Sequence, residues 1–372
     1  MLGPPDTEGR RAAAATLLWH TPRVRVNRQM ANKIKVGLLT HAGGAHVTSY
    51  FRALAAADRC HEVLLADQDG NWEAEARRIL QHKLSYVSRD YHEVIRQRPQ
   101  MVLVTLEARL APPVIDAALE AGCHVFAEKP SCVQATDFAP LVEKAHSKHL
   151  YLMLALANRT NPEIAAARRI VASQQIGRLF GLEMHLIADQ TRLTRPSYHQ
   201  MWFADSRRAG GGHLIWLGIH WLDLAMWITA QSISEVAGFT TNIGGQPINI
   251  EDSATAALRF ENGALGTMTS GYYLDKGYHS HIKIWGSRGW ILVEPTKDLP
   301  LTWSTTTGDK AGELQIGGAK EPRGYTPFVA EAVRACADMT EPPISSEHSL
   351  RALKTVFAVY SAAETGQSTR IL

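Results

Sequence analysis

The sequence predicts an α/β protein: a doubly wound parallel sheet, followed by an α+β domain built on an open, mainly antiparallel sheet. Three observations predict it. From Ile34 onward, short apolar runs alternate with stretches of helical periodicity, as parallel strands joined by crossover helices do. Polar residues, Thr40, Asp67, Thr105 and Glu128, stand where those apolar runs end. After Asn158-Arg159 the texture changes to alternating runs separated by turn residues, which reads as an antiparallel sheet.

In the first half, Ile34 to Leu39 is a strand, Thr40 to Ala45 a turn and Val47 to Ala56 a helix. Glu62 to Ala66 is the second strand, ending at Asp67, and Trp72 to His82 a helix. Lys83 to Val87 and Met101 to Thr105 follow as strands around a short helix, Tyr91 to Arg96. Pro112 to Ala121, His124 to Ala127, Ala135 to Lys148 and Tyr151 to Ala155 continue as helix, strand, helix, strand. The second half opens with a helix, Pro162 to Ser173, and a strand, Leu179 to Ala188. A helix started by glycines spans Gly210 to Trp227. Ser234 to Thr241, Ser253 to Phe260, Ala264 to Tyr273, His281 to Gly286 and Trp290 to Glu294 are antiparallel strands. Phe328 to Asp338 and Ser346 to Thr365 are closing helices.

The chain has 372 residues, 45% of them hydrophobic, enough for two cores, which excludes disordered and fibrous classes. Its formal net charge of +3 lies wholly in the leader, where five arginines precede Met30 against Asp6 and Glu8. The remaining body is neutral and lacks the basic footprint of a nucleic-acid or membrane-surface protein. Residues 1–32 are expected to be a basic leader, disordered or upstream of a second start at Met30. Residues 33–157 are the first domain and residues 158–372 the second, whose last helices are free to pack back on the first. Cys60, Cys123, Cys132 and Cys336 lack CxxC spacing, which suits reduced, buried thiols and a cytoplasmic location.

The turn Thr40-His41-Ala42-Gly43-Gly44-Ala45 stands where a Rossmann fold places G-x-G-x-x-G, whose glycines let a pyrophosphate approach a helix N-terminus. Thr40 and Ala42 occupy the first two glycine positions, so the motif alone does not separate a nucleotide site from an ordinary turn. Asp67 adds what the turn lacks: an acid at the end of strand two binds a ribose 2′-hydroxyl, and Gln68-Asp69 offers no arginine for a 2′-phosphate. NAD is therefore expected over NADP. Glu128-Lys129-Pro130 lies at another strand end, where the restricted backbone before proline aims Lys129 across the crevice. On an ideal helix His213, Trp216, His220 and Asp223 follow at steps of three and four, so they share one face behind Gly210-Gly211-Gly212. Trp202, Phe203, Asp205, Arg207 and Arg208 form a loop just before it, either an ordinary polar loop or part of a substrate site. His185, His199, His279 and His281 lack HxxxH spacing, and no metal is expected from them.

With these residues together the chain resembles the Gfo/Idh/MocA oxidoreductases, from about Ile34 to the C-terminus. The resemblance rests on Asp67, Thr105, AALEAGCHVFAEKP, NRTNP, AGGGHLIWLGIHWLDL, Glu251-Asp252-Ser253 and Phe260-Glu261-Asn262-Gly263. It implies hydride transfer between nicotinamide and a secondary alcohol carbon of a sugar, inositol or related polyol. Cofactor contacts are expected at His41, Gly43, Gly44, Ala45, Asp67, Thr105, Glu128, Lys129 and Asn158, and the resemblance gives catalysis to Lys129 and His220. Substrate contacts fall to Lys129, Trp202, Arg207, His213, Trp216 and His220. It also implies a homodimer or homotetramer made through the antiparallel sheet. The chain departs from the family where an acid is expected four residues before His220: Trp216 stands there. Thr40 and Ala42 depart too, and the family's Thr-Pro-Asn stretch is Thr105-Leu106-Glu107. Two further readings stay open: an enzyme that retains NAD and breaks glycosides through transient oxidation, and a non-catalytic sugar- or nucleotide-binding homologue.

Overall fold

A computed structural model describes residues 32–274, 276–306, 312–314 and 322–371. The expectations for the leader up to residue 31 lie outside the described residues. The first half runs β1 (Ile34–Thr40), α1 (Val47–Ala56), β2 (Cys60–Asp67), α2 (Glu73–Leu80), β3 (Leu84–Ser88), α3 (Tyr91–Arg96), β4 (Met101–Thr105), α4 (Ala111–Glu120), β5 (His124–Ala127), α5 (Ala135–Ser147) and β6 (Leu152–Leu154). The six strands form one sheet in the order β3-β2-β1-β4-β5-β6, every neighbouring pair parallel. The order reverses between β1 and β4, so the crevice where ligands of such sheets bind opens beyond Thr40 and Thr105. Helices cover both faces, and β4 and β5 are consequently buried at every residue. On α1, Val47, Tyr50, Phe51 and Leu54 repeat at helical spacing and are the face it buries.

The second half begins with α6 (Pro162–Ala172), β7 (Leu179–Asp189) and two one-turn helices, α7 (Pro196–His199) and α8 (Ser206–Ala209). A π-helical turn (Leu214–Gly218) runs straight into α9 (Ile219–Thr229). Then come β8 (Ile233–Thr241), β9 (Ser253–Phe260), β10 (Leu265–Leu274), β11 (His279–Gly286), β12 (Gly289–Val293), β13 (Leu301–Thr305), β14 (Gly312–Leu314), α10 (Tyr325–Asp338), α11 (Ser346–Thr365) and β15 (Thr369–Arg370). The nine strands form one sheet in the order β14-β13-β12-β11-β7-β10-β9-β8-β15. Only the β7–β10 pair is parallel, so the sheet is mainly antiparallel, as the alternation predicts. In β9, buried Ala254, Ala256, Leu258 and Phe260 face the helices while the residues between them are exposed, except Ser253 at its start. Three strands, β13, β14 and β15, escape the sequence pattern because they are short.

One expectation needs correction. The glycine-started segment is not a single regular helix: the π turn holds the equivalent of an extra residue, so residues on either side of it lose the common face that an α-helical count gives them.

Candidate active site

The glycine run is held by close approach. A Cβ on Gly212 would stand 2.0 Å from the Glu251 carbonyl oxygen, and one on Gly211 2.2 Å from the Tyr360 hydroxyl. The Glu251 carboxylate accepts from the amides of Gly212 (2.5 Å) and Leu214 (2.8 Å) and from the Tyr360 hydroxyl (2.9 Å), capping the π turn. Burial outweighs these bonds and raises its pKa to about 7. The clamp fixes where the next residues point.

Those residues diverge. Trp216 and His220 turn to the crevice, whereas His213 turns to the sheet, its Nδ1 2.6 Å from the Ser270 hydroxyl and its ring 4.4 Å from Tyr272. Asp223 faces away and takes a bidentate pair from the buried Arg159 (2.8 and 2.5 Å), whose guanidinium lies 4.4 Å over Trp227. It supports the fold and does not stand in for the missing acid.

Lys129 is buried at the end of β5, followed by a cis bond to Pro130. Its Nζ donates to the Trp216 carbonyl (2.6 Å) and sits 3.5 Å over the Trp216 ring. Burial disfavours the ammonium and lowers its pKa to about 8, Glu128 acting in the opposite sense. An indole in place of an acid matters here, because a carboxylate at that position would hold the amine protonated. Burial likewise pushes His220 well below the usual histidine range, with Lys129 and His46 adding to the effect. His213 is lowered to about 3, chiefly by burial. Both imidazoles are neutral, and His220 Nδ1 and His213 Nε2 are buried without a hydrogen-bond partner.

Around the β1–α1 turn, Trp202 reaches over from the second half and donates its indole N–H to the Gly43 carbonyl (2.8 Å). Trp202, Phe203 and Trp216 pack together at 5.3–5.6 Å between rings. His41 is folded inward, its Nδ1 accepting from the Gly43 amide and its Nε2 left without a partner. Thr105 donates its hydroxyl to the Ala45 carbonyl (2.7 Å), tying β4 to the turn. Gly44 has no room for a side chain, since a Cβ would meet Thr40 Oγ1 at 2.2 Å. Helix α1 starts at His46 with no side-chain cap, leaving first-turn amides to other acceptors.

Asp67 uses one oxygen to accept from the amides of Trp72 (2.8 Å) and Glu73 (3.1 Å) at the start of α2. Its other oxygen is buried without a partner. That orphaned acceptor, the uncapped α1 and the glycine turn fit a dinucleotide whose ribose reaches Asp67 and whose pyrophosphate reaches the turn.

Not every expected residue converges. Arg207 is 81% exposed and pairs with Asp205. Arg208 forks onto Glu107 (2.9 and 2.5 Å), joining the loop after β4 to α8. Asn158 lies in the helical turn after β6, its side chain accepting from Asn161. Conversely, the sequence reading missed His46, Tyr50 and Tyr325. Glu128 accepts from the Tyr50 hydroxyl and contacts His46 Nδ1 (3.1 Å), while the Tyr325 hydroxyl lies 3.0 Å from that nitrogen. His46 stacks 6.2 Å from Trp216, so this network backs the floor of the crevice. Tyr325 lies 279 residues from His46, beyond what local spacing can reveal. Also missed was Arg89, whose guanidinium donates to the Asp67 carbonyl and lies beside Gly70.

Residues 41–156 match the profile of an oxidoreductase family with an NAD-binding Rossmann fold, and residues 164–292 match the Gfo/Idh/MocA C-terminal domain. The chain belongs to the Gfo/Idh/MocA oxidoreductases. It is accordingly an NAD(P)-dependent oxidoreductase of the class acting on CH–OH groups. Among family members, it is 23% identical to myo-inositol 2-dehydrogenase of Thermotoga maritima, over 76% of this chain and 83% of that protein. It is 24% identical to the NADP(+) D-xylose 1-dehydrogenase of Haloarcula marismortui, over 86% and 88%. The fold superposes on a levoglucosan dehydrogenase in complex with NADH and levoglucosan with a TM-score of 0.81 at 19% identity, covering 91% of this chain and 99% of that one.

Proposed function

We propose that the protein oxidises a secondary alcohol of a sugar, inositol or related polyol, or reduces the corresponding carbonyl, with NAD as partner. The observation that carries this reading is the buried Lys129, lowered to about 8 and aimed by the Trp216 carbonyl beside a neutral His220. Bound nicotinamide supplies the acceptor for the hydride. As the carbinol carbon becomes a carbonyl, neutral Lys129 takes the hydroxyl proton at Nζ, and desolvation keeps enough of the amine unprotonated near neutral pH to do so. His220 offers its unpartnered nitrogen to hold that hydroxyl. Trp216 and Phe203 give an apolar wall for the C–H face of a sugar ring.

Asp67 supports NAD, because a buried carboxylate oxygen repels a 2′-phosphate. Arg89 favours NADP as the second reading, since it brings to that corner the cation that the neighbouring sequence lacks. A retained cofactor is a further reading, favoured by Trp202 closing over the Gly43 turn. No helix among the described residues is long and apolar enough to cross a membrane, and all four cysteines are free and buried, which supports a reducing, cytoplasmic compartment. The exposed Phe239 and Leu265 on the outer face of the nine-stranded sheet support a homodimer or homotetramer.

The test is mass analysis of any nucleotide that co-purifies, then a panel of sugars and polyols followed at the NADH absorbance. Turnover of one panel member, lost in Lys129→Met, is expected. A protein that neither retains nor binds nicotinamide overturns the proposal. Substrate loss without net NADH selects the retained-cofactor reading.

A further inference from the structure

The sequence contains histidines that the crevice does not use, and their linear spacing is wrong for a metal. Cross-strand register brings together what spacing cannot. Glu183 and His185 are two residues apart on β7 and share its outer face. The antiparallel partner β11 places His281 directly opposite His185 and Lys283 opposite Glu183. As a result His281 Nε2 lies 3.0 Å and His185 Nε2 3.4 Å from the same oxygen, Glu183 Oε1. The two imidazoles are stacked 4.6 Å apart with planes 15° from parallel, and one donor atom from each of the three residues lies within 4.8 Å of the others.

We propose that Glu183, His185 and His281 form a binding site for one divalent transition metal of the zinc type on the outer face of the nine-stranded sheet. Bonds of about 2.0–2.1 Å to a tetrahedral ion put ligand atoms about 3.3–3.5 Å apart, which is the spacing of both histidine–glutamate contacts after small side-chain rotations. Two imidazoles and one carboxylate suit zinc, nickel or copper, whereas magnesium and calcium favour all-oxygen sets. Three protein ligands leave a fourth vertex for water or for a group from a second copy.

The charged surroundings are compatible with a cation. His185 and His281 are each half-buried, with side-chain exposures of 35% and 19%, so the site lies at the surface within reach of an ion. Lys283 does not lie on Glu183: its Nζ sits 3.4 Å over the Trp290 ring of β12. His279, the next histidine on the same face of β11, is exposed, with its ring 6.4 Å from that of His281. From β10, the residues facing Glu183 and His185 are Thr267 and Thr269, which carry no charge. The proposal does not depend on the dehydrogenase reading.

Zinc chloride titrated into chelator-treated full-length protein tests the proposal. Binding of one ion per chain is expected, weakened at least tenfold in His281→Ala and in Glu183→Gln and changed less than threefold in His279→Ala. Zinc should raise the melting temperature of the unaltered protein but not that of His281→Ala. Circular dichroism and nucleotide binding report whether each variant has folded, and His185→Gln replaces any that has not. Magnesium chloride should produce neither effect. Absence of zinc binding, or binding of equal strength in His281→Ala and Glu183→Gln, overturns the assignment.

Discussion

The two sheets of this protein use their strands differently. The parallel sheet is buried on both faces and presents chemistry only at its strand ends: Thr40, Asp67, Thr105 and Lys129 all lie at or just beyond carboxyl termini. The nine-stranded sheet buries one face against helices and leaves the other open, so its polar groups meet across strands, as His185 and His281 do. In the first sheet function follows the end of an apolar run. In the second it follows register, which depends on partners far away in sequence.

The sharpest break of this contrast is at a strand end. Lys129→Met is expected to lower kcat by about 10²–10⁴-fold, the range of general-base catalysis, with unchanged nucleotide binding by calorimetry. A comparable effect, but on stability, is expected in the second half. Arg159→Ala leaves Asp223 buried and unpaired and should cost about 3–5 kcal/mol in denaturant unfolding. Next in size, Asp67→Ala removes the ribose acceptor, a charge-assisted bond of about 1.5–3 kcal/mol, and should weaken NAD about 10–100-fold.

The pH profile then separates Trp216 from the acid it replaces. Because the base must be unprotonated, oxidation should rise with pH along a limb centred at about 8. In Trp216→Glu the new carboxylate favours the ammonium, so the limb should move upward by about one unit or more. An unmoved limb would assign it to another group. The smallest effect is expected from Arg89→Ala, which should lower any use of NADP while leaving NAD within about threefold.

Much of this was legible in the sequence. Runs bounded by turn residues marked all six parallel strands, and the residues ending four of them, Thr40, Asp67, Thr105 and Glu128, marked the crevice, because a strand buried on both faces, as β4 and β5 are, has little sequence freedom. The glycines, Lys129 and His220 were legible because close backbone approach and strand-end geometry are local. The direction of His213 and Asp223 was not, since a π turn leaves no mark in residue periodicity. Nor were His46, Tyr325 and Arg89, which reach the crevice only through long-range packing. β14 and β15 are too short to show an alternation, and β13 alternates over only four residues, Leu301 to Ser304.

The indole bond from Trp202 to the Gly43 carbonyl also has a consequence in time. Moving the segment that carries Trp202 off that turn has a cost that can be counted. Lifting breaks one hydrogen bond, about 0.5–1.5 kcal/mol, and the ring contacts of Trp202 and of its neighbour Phe203 with Trp216, about 0.5–1.5 kcal/mol each. Every 1.4 kcal/mol slows that opening tenfold. The glycine turn is therefore latched to the second half of the chain, and its opening is timed by how fast one tryptophan lets go.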